Sequence, residues 1–338
     1  MQDKLLFVIG SPRSGSTMLQ RMIGSHSAIF THPEPHLMTP LAHLGYYHTV
    51  DKAPFDHINA AKAMREFVDE LPGGEQDYLD ACRAYADTLY GRMLSTRADK
   101  LLFLDKTPAY ALVTDFLTRV YPKARYVVLT RHPLAILSSY ANSFFDGDYD
   151  AAYAFNPILD RYVPAIARFL RRSNQTTLHH VRYEDLVQHP DTSLEAIFNF
   201  LGLDHESSAV EYGQHDHIKK SFGDPNVDSH SRPTTRSVHK WARELAADPD
   251  TLARVRGIAA GLSDDDLAIW GYPRDTLFEA LDHVRAAEGQ TAAPPRERIN
   301  AYRLQRKVLL RLRKNIHHNQ FGRLVKGVRY YCDVLLRD

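Results

Sequence analysis

The loop at residues 10–17 combines residue types that suit the binding of a phosphate or a sulfate. It reads Gly-Ser-Pro-Arg-Ser-Gly-Ser-Thr and follows a short apolar run at residues 5–9. In such a loop glycine permits a tight turn, successive backbone N–H groups can face one anion, and the next helix adds a partial positive charge. Hydroxyl groups and one guanidinium add further donors. The candidate binding residues are Pro12, Arg13, Ser14, Gly15, Ser16 and Thr17.

The loop has the Gly-x-x-x-x-Gly spacing of nucleoside-triphosphate-binding loops, but it departs from them at one position. Ser16 stands where those loops carry a lysine. No acidic magnesium ligand is evident after a later apolar run. Both features weigh against a P-loop nucleotide kinase or phosphotransferase, which stays an alternative function and predicts that the protein requires Mg²⁺ and binds ATP.

A second pair of residues could bind another phosphate. Arg131 follows the apolar run at residues 124–130, and Ser139 comes eight residues later in a segment with helical periodicity. Eight residues span about two helical turns, so the guanidinium and the hydroxyl can converge on one anion.

Two further segments carry groups suited to group transfer. Lys106 lies two residues after the apolar run at residues 101–104, and functional groups gather at such strand ends in open α/β sheets. Glu34 lies between His32 and His36 in the sequence Thr-His-Pro-Glu-Pro-His. A histidine has an unperturbed pKa near 6.5, so either histidine could accept a proton in place of the glutamate.

The two anion-binding motifs resemble those of the sulfotransferase family that uses 3′-phosphoadenosine-5′-phosphosulfate (PAPS). The loop is similar to the family's 5′-phosphosulfate loop, and Arg131 with Ser139 is similar to its 3′-phosphate motif. The resemblance implies transfer of a sulfuryl group from PAPS to an acceptor hydroxyl or amine, without a metal. The product of the donor would be 3′-phosphoadenosine-5′-phosphate (PAP).

The resemblance also implies roles for individual side chains. Glu34 would be the general base, Lys106 would contact the bridging oxygen between phosphate and sulfate, and Arg13 would stabilise charge on the transferred group. Tyr183 would contact the adenine, and Lys240 would reach the donor. Glu34 and the segment His239-Lys240-Trp241 resemble segments of the bacterial and tyrosylprotein-type members, whereas the Arg-Lys-Gly triplet of the cytosolic small-molecule members is missing. The chain is therefore closer to the bacterial and tyrosylprotein-type members.

Alternating strand-like and helix-like segments predict an α/β fold with a P-loop-like parallel sheet flanked by helices. The segment at residues 55–97 is predicted to be helical with a break at 72–74, and helical insertions would form the acceptor site. The predicted strands are the apolar runs at 5–9, 101–104, 124–130 and 177–183.

The composition of the chain changes near its end. We predict a sulfotransferase domain at residues 1–290, a linker at 291–298 and a basic helical extension at 299–338. A basic amphipathic helix can contact an anionic membrane or an acidic partner, or it can pack on the domain with its charges in solvent.

The composition also limits the compartment and the partners. The net charge is +1 and the only cysteines are Cys82 and Cys332, so a nucleic-acid partner, a metal site and a disulfide framework are not predicted. No signal peptide is evident, which predicts a cytoplasmic protein. The acceptor could be a glycan, a lipid head group or a natural-product hydroxyl or amine, and the oligomeric state stays open. A catalytically inactive donor-binding scaffold is a further alternative.

Overall fold

Five parallel strands form one sheet within the part of the chain that the computed structural model describes, which is residues 1–47, 57–173, 175–218, 227, 229–287, 324 and 328. The order of the strands across the sheet is β2-β3-β1-β4-β5, and every neighbouring pair is parallel. The strands are β1 (Leu5–Gly10), β2 (Ile29–Pro33), β3 (Leu102–Lys106), β4 (Arg125–Thr130) and β5 (Leu178–Arg182).

Helices connect the strands and cover both faces of the sheet. Up to β4 they are α1 (Ser16–Gly24), α2 (Met38–Ala42), α3 (His57–Asp69), α4 (Glu75–Ser95) and α5 (Thr114–Val120). After β4 they are α6 (Pro133–Phe144), α7 (Tyr149–Phe155), α8 (Ile158–Leu170), α9 (Tyr183–Gln188), α10 (Pro190–Leu201), α11 (Lys240–Ala246), α12 (Pro249–Ala260), α13 (Asp264–Trp270) and α14 (Glu279–Ala287). A short 3₁₀ helix, Pro108–Leu112, follows β3.

The central strand β1 is buried along its whole length, as expected for a parallel sheet that is covered on both faces. Alternate residues of a strand point to opposite faces. Leu5, Phe7 and Ile9 accordingly pack in one hydrophobic cluster, while Leu6 and Val8 pack in the other. The sheet therefore divides the core into two layers and holds the ends of its strands in fixed positions.

The predicted fold class is confirmed, with differences at individual elements. The four predicted strands are present, but β2 was not predicted, and Tyr183 begins α9 rather than ending β5. The predicted helical segment at 55–97 is α3 and α4 with a turn at Pro72 between them.

The predicted linker at 291–298 and most of the extension at 299–338 lie outside the described residues, so the three domain boundaries stay predictions. None of the helices that the structure describes is both long enough and apolar enough to cross a bilayer.

Candidate active site

The predicted anion-binding loop connects β1 to α1 and is tightly packed at both of its glycines. A Cβ added at Gly10 would lie 2.8 Å from Ser14 Oγ and 3.2 Å from the carbonyl oxygen of Leu129. Gly15 has a φ of 93°, and a Cβ there would lie 2.6 Å from ring carbons of Tyr183. Glycine is therefore required at position 10 because the backbone approaches other atoms closely. It is required at position 15 because the backbone is left-handed and also lies close to Tyr183.

The loop presents the N-terminus of α1 without a side-chain cap. The first helical bond runs from the N–H of Leu19 to the carbonyl of Gly15, 3.1 Å away, and the N-cap Gly15 offers no side-chain acceptor. The earlier N–H groups of a helix have no intrahelical acceptor. Ser14 Oγ is buried and has no hydrogen-bond partner among the described atoms. This combination of donors fits an anion such as a phosphate or a phosphosulfate.

Lys106, the last residue of β3, joins the loop to the segment after β2. Its side chain is only 1% exposed, and Nζ donates to Glu34 Oε1 at 2.5 Å and to Thr17 Oγ1 at 3.2 Å. Burial of an ammonium costs desolvation free energy unless an anion is paired with it, and the Glu34 carboxylate is that partner. The structure thus brings together Lys106, Glu34 and the anion-binding loop.

The segment that carries Glu34 has an unusual backbone. Glu34 has a φ of 31° and His36 a φ of 56°, a region that residues other than glycine seldom adopt. His36 Nε2 lies 3.7 Å from Glu34 Oε2, and His32 Nδ1 lies 3.0 Å from the carbonyl oxygen of Pro33. Of the three candidate bases, Glu34 has a direct hydrogen bond to Lys106.

The end of β2 is fixed against α1 by one amide side chain. Gln20 is buried, and its Nε2 donates to Thr31 Oγ1 at 2.8 Å and to the carbonyl oxygen of His32 at 3.1 Å. Thr31 Oγ1 in turn donates to the carbonyl of Leu104 at 2.9 Å. These bonds connect the helix after the loop, the edge strand β2 and the strand that ends in Lys106.

Arg131 follows β4 and connects the loop to the segment before α11. Its Nη1 donates to the carbonyl of Arg13 at 3.1 Å, and its Nη2 donates to the carbonyl of Ser237 at 3.2 Å. The guanidinium lies 4.2 Å from the centre of the Tyr183 ring, and the Tyr183 hydroxyl is 2.7 Å from Ser237 Oγ. Tyr183 therefore contacts both Arg131 and the anion-binding loop.

The two predicted anion-binding motifs are also in direct contact through Arg13. This residue has a φ of 68°, and its Nε donates to Ser139 Oγ on α6 at 3.1 Å. Its guanidinium also lies 5.7 Å from the centre of the Phe144 ring. These two contacts of Arg13 are on the side of Ser139, and its predicted role at the transferred group stays a prediction.

Lys240 lies at the start of α11, close to helix α6. Its Nζ is 3.6 Å from Glu244 Oε1, and its side chain is about half exposed. Glu244 Oε2 accepts hydrogen bonds from Ser138 Oγ at 2.5 Å and from Asn142 Nδ2 at 2.9 Å. These bonds attach α11 to the helix that carries Ser139.

Sequence reasoning missed the buried carboxyl group of Asp105. This side chain is fully buried and accepts hydrogen bonds from the hydroxyls of Tyr90, Thr107 and Tyr110. Burial raises the pKa of Asp105 to about 6, and the hydrogen bonds partly oppose that rise. The one available signal was an acidic residue beside Lys106 at the end of an apolar run.

Comparisons with known proteins agree with this geometry. A sequence model of the sulfotransferase family matches residues 6–207, which is more than half of the chain. Nodulation protein NoeE of Sinorhizobium fredii (strain NBRC 101917 / NGR234) is 29% identical over 306 residues, which cover 84% of this chain and 68% of that protein. An uncharacterized protein of Aquifex aeolicus (strain VF5) is 23% identical over 248 residues, or 70% of this chain and 30% of that protein.

Among solved structures, the sulfotransferase domain from the Synechococcus PCC 7002 olefin synthase is similar to the chain. It is 25% identical, and the match covers 77% of this chain and 95% of that domain with a TM-score of 0.49. Because this score is below 0.5, the assignment rests on the match to the family's sequences. The predicted resemblance to PAPS-dependent sulfotransferases is confirmed, and the chain belongs to the sulfotransferase family.

Proposed function

We propose that the protein transfers a sulfuryl group from PAPS to an acceptor hydroxyl or amine by in-line displacement and releases PAP. The observation that carries this proposal is the position of Lys106. Its buried ammonium contacts Glu34, a candidate base, and Thr17 of the anion-binding loop at the same time. A donor bound by the loop and an acceptor bound near Glu34 would therefore both lie beside the Lys106 ammonium.

The residues present fit the two charged ends of PAPS. The loop offers the uncapped N-terminus of α1 for the 5′-phosphosulfate, together with the hydroxyls of Ser14, Ser16 and Thr17. Arg131 and Ser139 would hold the 3′-phosphate, since Arg13 already connects them to the loop.

Three side chains then have roles in the transfer step. Glu34 accepts the proton of the acceptor as the new oxygen–sulfur or nitrogen–sulfur bond forms. Lys106 donates to the bridging oxygen, where negative charge develops as the bond between that oxygen and sulfur breaks. Arg13 adds positive charge beside the loop. The proton ends on Glu34, and the leaving phosphate retains the electron pair of the broken bond.

Phosphate loops also occur in kinases, and one feature of this site bears on that alternative. The lysine that contacts the loop comes from β3 rather than from the loop itself, where Ser16 takes the usual position of lysine. The arrangement therefore differs from that of ATP-binding loops, and a sulfate donor is the better match.

Calorimetry distinguishes the two functions. We expect PAP to bind without added metal and ATP with Mg²⁺ to bind at least about a hundredfold more weakly, because ATP lacks the 3′-phosphate for Arg131 and Ser139. Incubation with ³⁵S-labelled PAPS and a pool of acceptors then tests transfer. Tight binding of Mg²⁺-ATP without binding of PAP would overturn the proposal, whereas binding of PAP without transfer would favour an inactive scaffold.

The acceptor pool follows from the side chains beside the loop. Phe144 contacts Arg13, and Phe145 packs against Phe155, which is 39% exposed. Aromatic side chains can stack on a sugar, a phenol or a lipid-like chain. The pool therefore contains an oligosaccharide, a glycolipid, a phenol and a hydroxylated lipid chain. The cytoplasmic location, the absence of a metal and the contacts of the basic extension stay predictions.

A further inference from the structure

Asp105 lies next to Lys106 on β3, and its carboxylate accepts three hydrogen bonds from side chains. Oδ2 accepts from the Tyr90 hydroxyl at 2.6 Å and from the Tyr110 hydroxyl at 3.0 Å, while Oδ1 accepts from Thr107 Oγ1 at 3.1 Å. Successive strand residues point to opposite faces, so Asp105 points away from Lys106. The carboxylate therefore has no place in the transfer step described above.

Two of these three hydroxyls also hold the backbone that follows Glu34. Thr107 Oγ1 accepts from the N–H of His36 at 3.4 Å, and the Tyr110 hydroxyl accepts from the N–H of Met38 at 3.1 Å. A hydroxyl has one hydrogen to donate. Because each hydroxyl donates that hydrogen to Asp105, its lone pairs face the two N–H groups.

We propose that Asp105, Thr107 and Tyr110 form a positioning cluster that holds the backbone at residues 34–38 so that the Glu34 carboxylate reaches Lys106. The importance of this alignment for turnover rests on the proposed function. Loss of the hydrogen bonds that the N–H groups of His36 and Met38 donate to Thr107 and Tyr110 would weaken the restraint on the positive φ at Glu34 and His36.

The charge of Asp105 orients the cluster. An ionised carboxylate can only accept hydrogen bonds, so it fixes the direction of every hydroxyl around it. The titratable groups that face it are Tyr90 from α4 and Tyr110 from the 3₁₀ helix, and Lys106, the next residue on the same strand, lies close enough to lower its pKa. Its pKa of about 6 leaves the carboxylate ionised at neutral pH.

Hydrogen exchange tests the cluster without any assumption about the reaction. Thr107→Val and Tyr110→Phe should each speed exchange of the amides at residues 36–38 roughly fivefold to tenfold, because each removes the acceptor of one N–H group. Thr107→Ser keeps the hydroxyl and should exchange like the wild type. Tyr90→Phe is the matched control, since it removes a donor to Asp105 but no bond to the segment.

Turnover with ³⁵S-labelled PAPS and the best acceptor of the pool gives the second measurement. Thr107→Val and Tyr110→Phe should lower kcat about tenfold with the affinity for PAP within about twofold, whereas Thr107→Ser and Tyr90→Phe stay near the wild type. If Tyr110→Phe does not fold, the two Thr107 variants carry the test.

The outcomes separate this inference from the proposed function. Unchanged exchange at residues 36–38 in the Thr107→Val protein, or equal acceleration in the Tyr90→Phe protein, would overturn the positioning cluster. Faster exchange at residues 36–38 in the Thr107→Val protein with an unchanged kcat would also overturn the positioning cluster. A wild-type protein that neither binds PAP nor transfers sulfate would instead overturn the proposed function, while the exchange pattern would still report whether the cluster holds the segment.

Discussion

Three side chains of the candidate site stand on backbone with positive φ, at Arg13, Glu34 and His36. Such a conformation costs about 1–3 kcal/mol for each residue that is not glycine, and it persists only where surrounding contacts impose it. For Glu34 those contacts are the ion pair with Lys106 and the hydrogen bonds at the N–H groups of His36 and Met38. The strain is therefore located where the structure directs a carboxylate toward a buried ammonium.

The proposed role of Glu34 predicts a specific loss of turnover. Glu34→Gln keeps the shape of the side chain but removes the proton acceptor, so turnover of PAPS should fall by about 10²–10⁴. The affinity for PAP should change by only a few fold. His36→Gln, at a side chain that is 40% exposed, is the control and should retain most activity. A Glu34→Gln protein that works within a few fold of the wild type would exclude this base.

Asp105 predicts a dependence of stability on pH. Burial raises its pKa to about 6, so the neutral carboxyl is favoured in the folded state. This contribution is fully present only below the unfolded-state pKa of about 4, and it is lost as the pH rises from there through about 6. From pH 4 to pH 7 the unfolding free energy of Asp105→Asn should therefore gain about 2 kcal/mol relative to the wild type.

Urea midpoints at four pH values between 4 and 7 measure this difference. The exposed Asp275 gives a control variant, Asp275→Asn, for which a much smaller change is expected. If the unfolding free energies of Asp105→Asn and the wild type changed in parallel with pH, the raised pKa of Asp105 would be contradicted.

At the scale of elements, the sequence predicted the three inner strands and the edge strand β5 but missed the other edge strand, β2. The inner strands β1, β3 and β4 each contain a continuous apolar run, and such runs are strong signals. In β2 only Ile29 and Phe30 are buried, and the strand ends at Pro33. A short edge strand with polar residues and a proline has the composition of a loop, so local pattern could not identify it.

The same distinction applies to the candidate site. Residues that follow a buried strand, such as Lys106 and Arg131, were predictable because strand ends gather at one edge of the sheet. The contact of Tyr90 with Asp105 was not, because it joins the middle of α4 to β3 and depends on how a helix packs. Side chains that act through tertiary packing leave no periodic signal along the chain.

The turn between β1 and α1 predicts that Gly15 cannot be replaced. Gly15→Ala would place a methyl group 2.6 Å from the Tyr183 ring on a backbone with a φ of 93°. We expect a loss of about 2–4 kcal/mol in unfolding free energy and a much weaker affinity for PAP. Gly202→Ala is the matched control, because Gly202 has a φ of 70° but no atom within 4 Å of the added Cβ.

The control variant separates backbone strain from the steric clash. Gly202→Ala should cost about 1 kcal/mol in thermal or urea unfolding and leave the affinity for PAP unchanged. If the two variants lose the same stability and both bind PAP normally, the packing of Tyr183 on the loop does not matter for binding.

At the scale of the whole molecule, the candidate site lies where the strand order reverses. β1 is flanked by β3 on one side and β4 on the other, and the loop, Lys106 and Arg131 follow these three strands. Ligands of open α/β sheets bind at such a point, in the crevice at the carboxyl ends of the strands. One bound nucleotide would therefore contact all three central strands.

This arrangement predicts that PAP stabilises the described fold as a whole. At a PAP concentration of 100 times its Kd, the unfolding free energy should rise by about 2.7 kcal/mol, which corresponds to an increase in Tm of several degrees. Adenosine 5′-phosphate lacks the 3′-phosphate that Arg131 and Ser139 would bind, so it should raise Tm much less at the same concentration. Scanning calorimetry measures both, and equal shifts would contradict the assigned 3′-phosphate site.

The central place of β1 has a consequence for synthesis. Its residues are made before those of both neighbouring strands, since Leu5 pairs with Phe103 and Leu6 with Arg125. At ordinary ribosomal speeds, β1 is made roughly 6 to 24 seconds before β4. Until β3 and β4 have been made, this apolar segment lacks its two partner strands, and it is available to chaperones or to aggregation. The loop that would hold the donor is thus translated well before the strands that fix its shape.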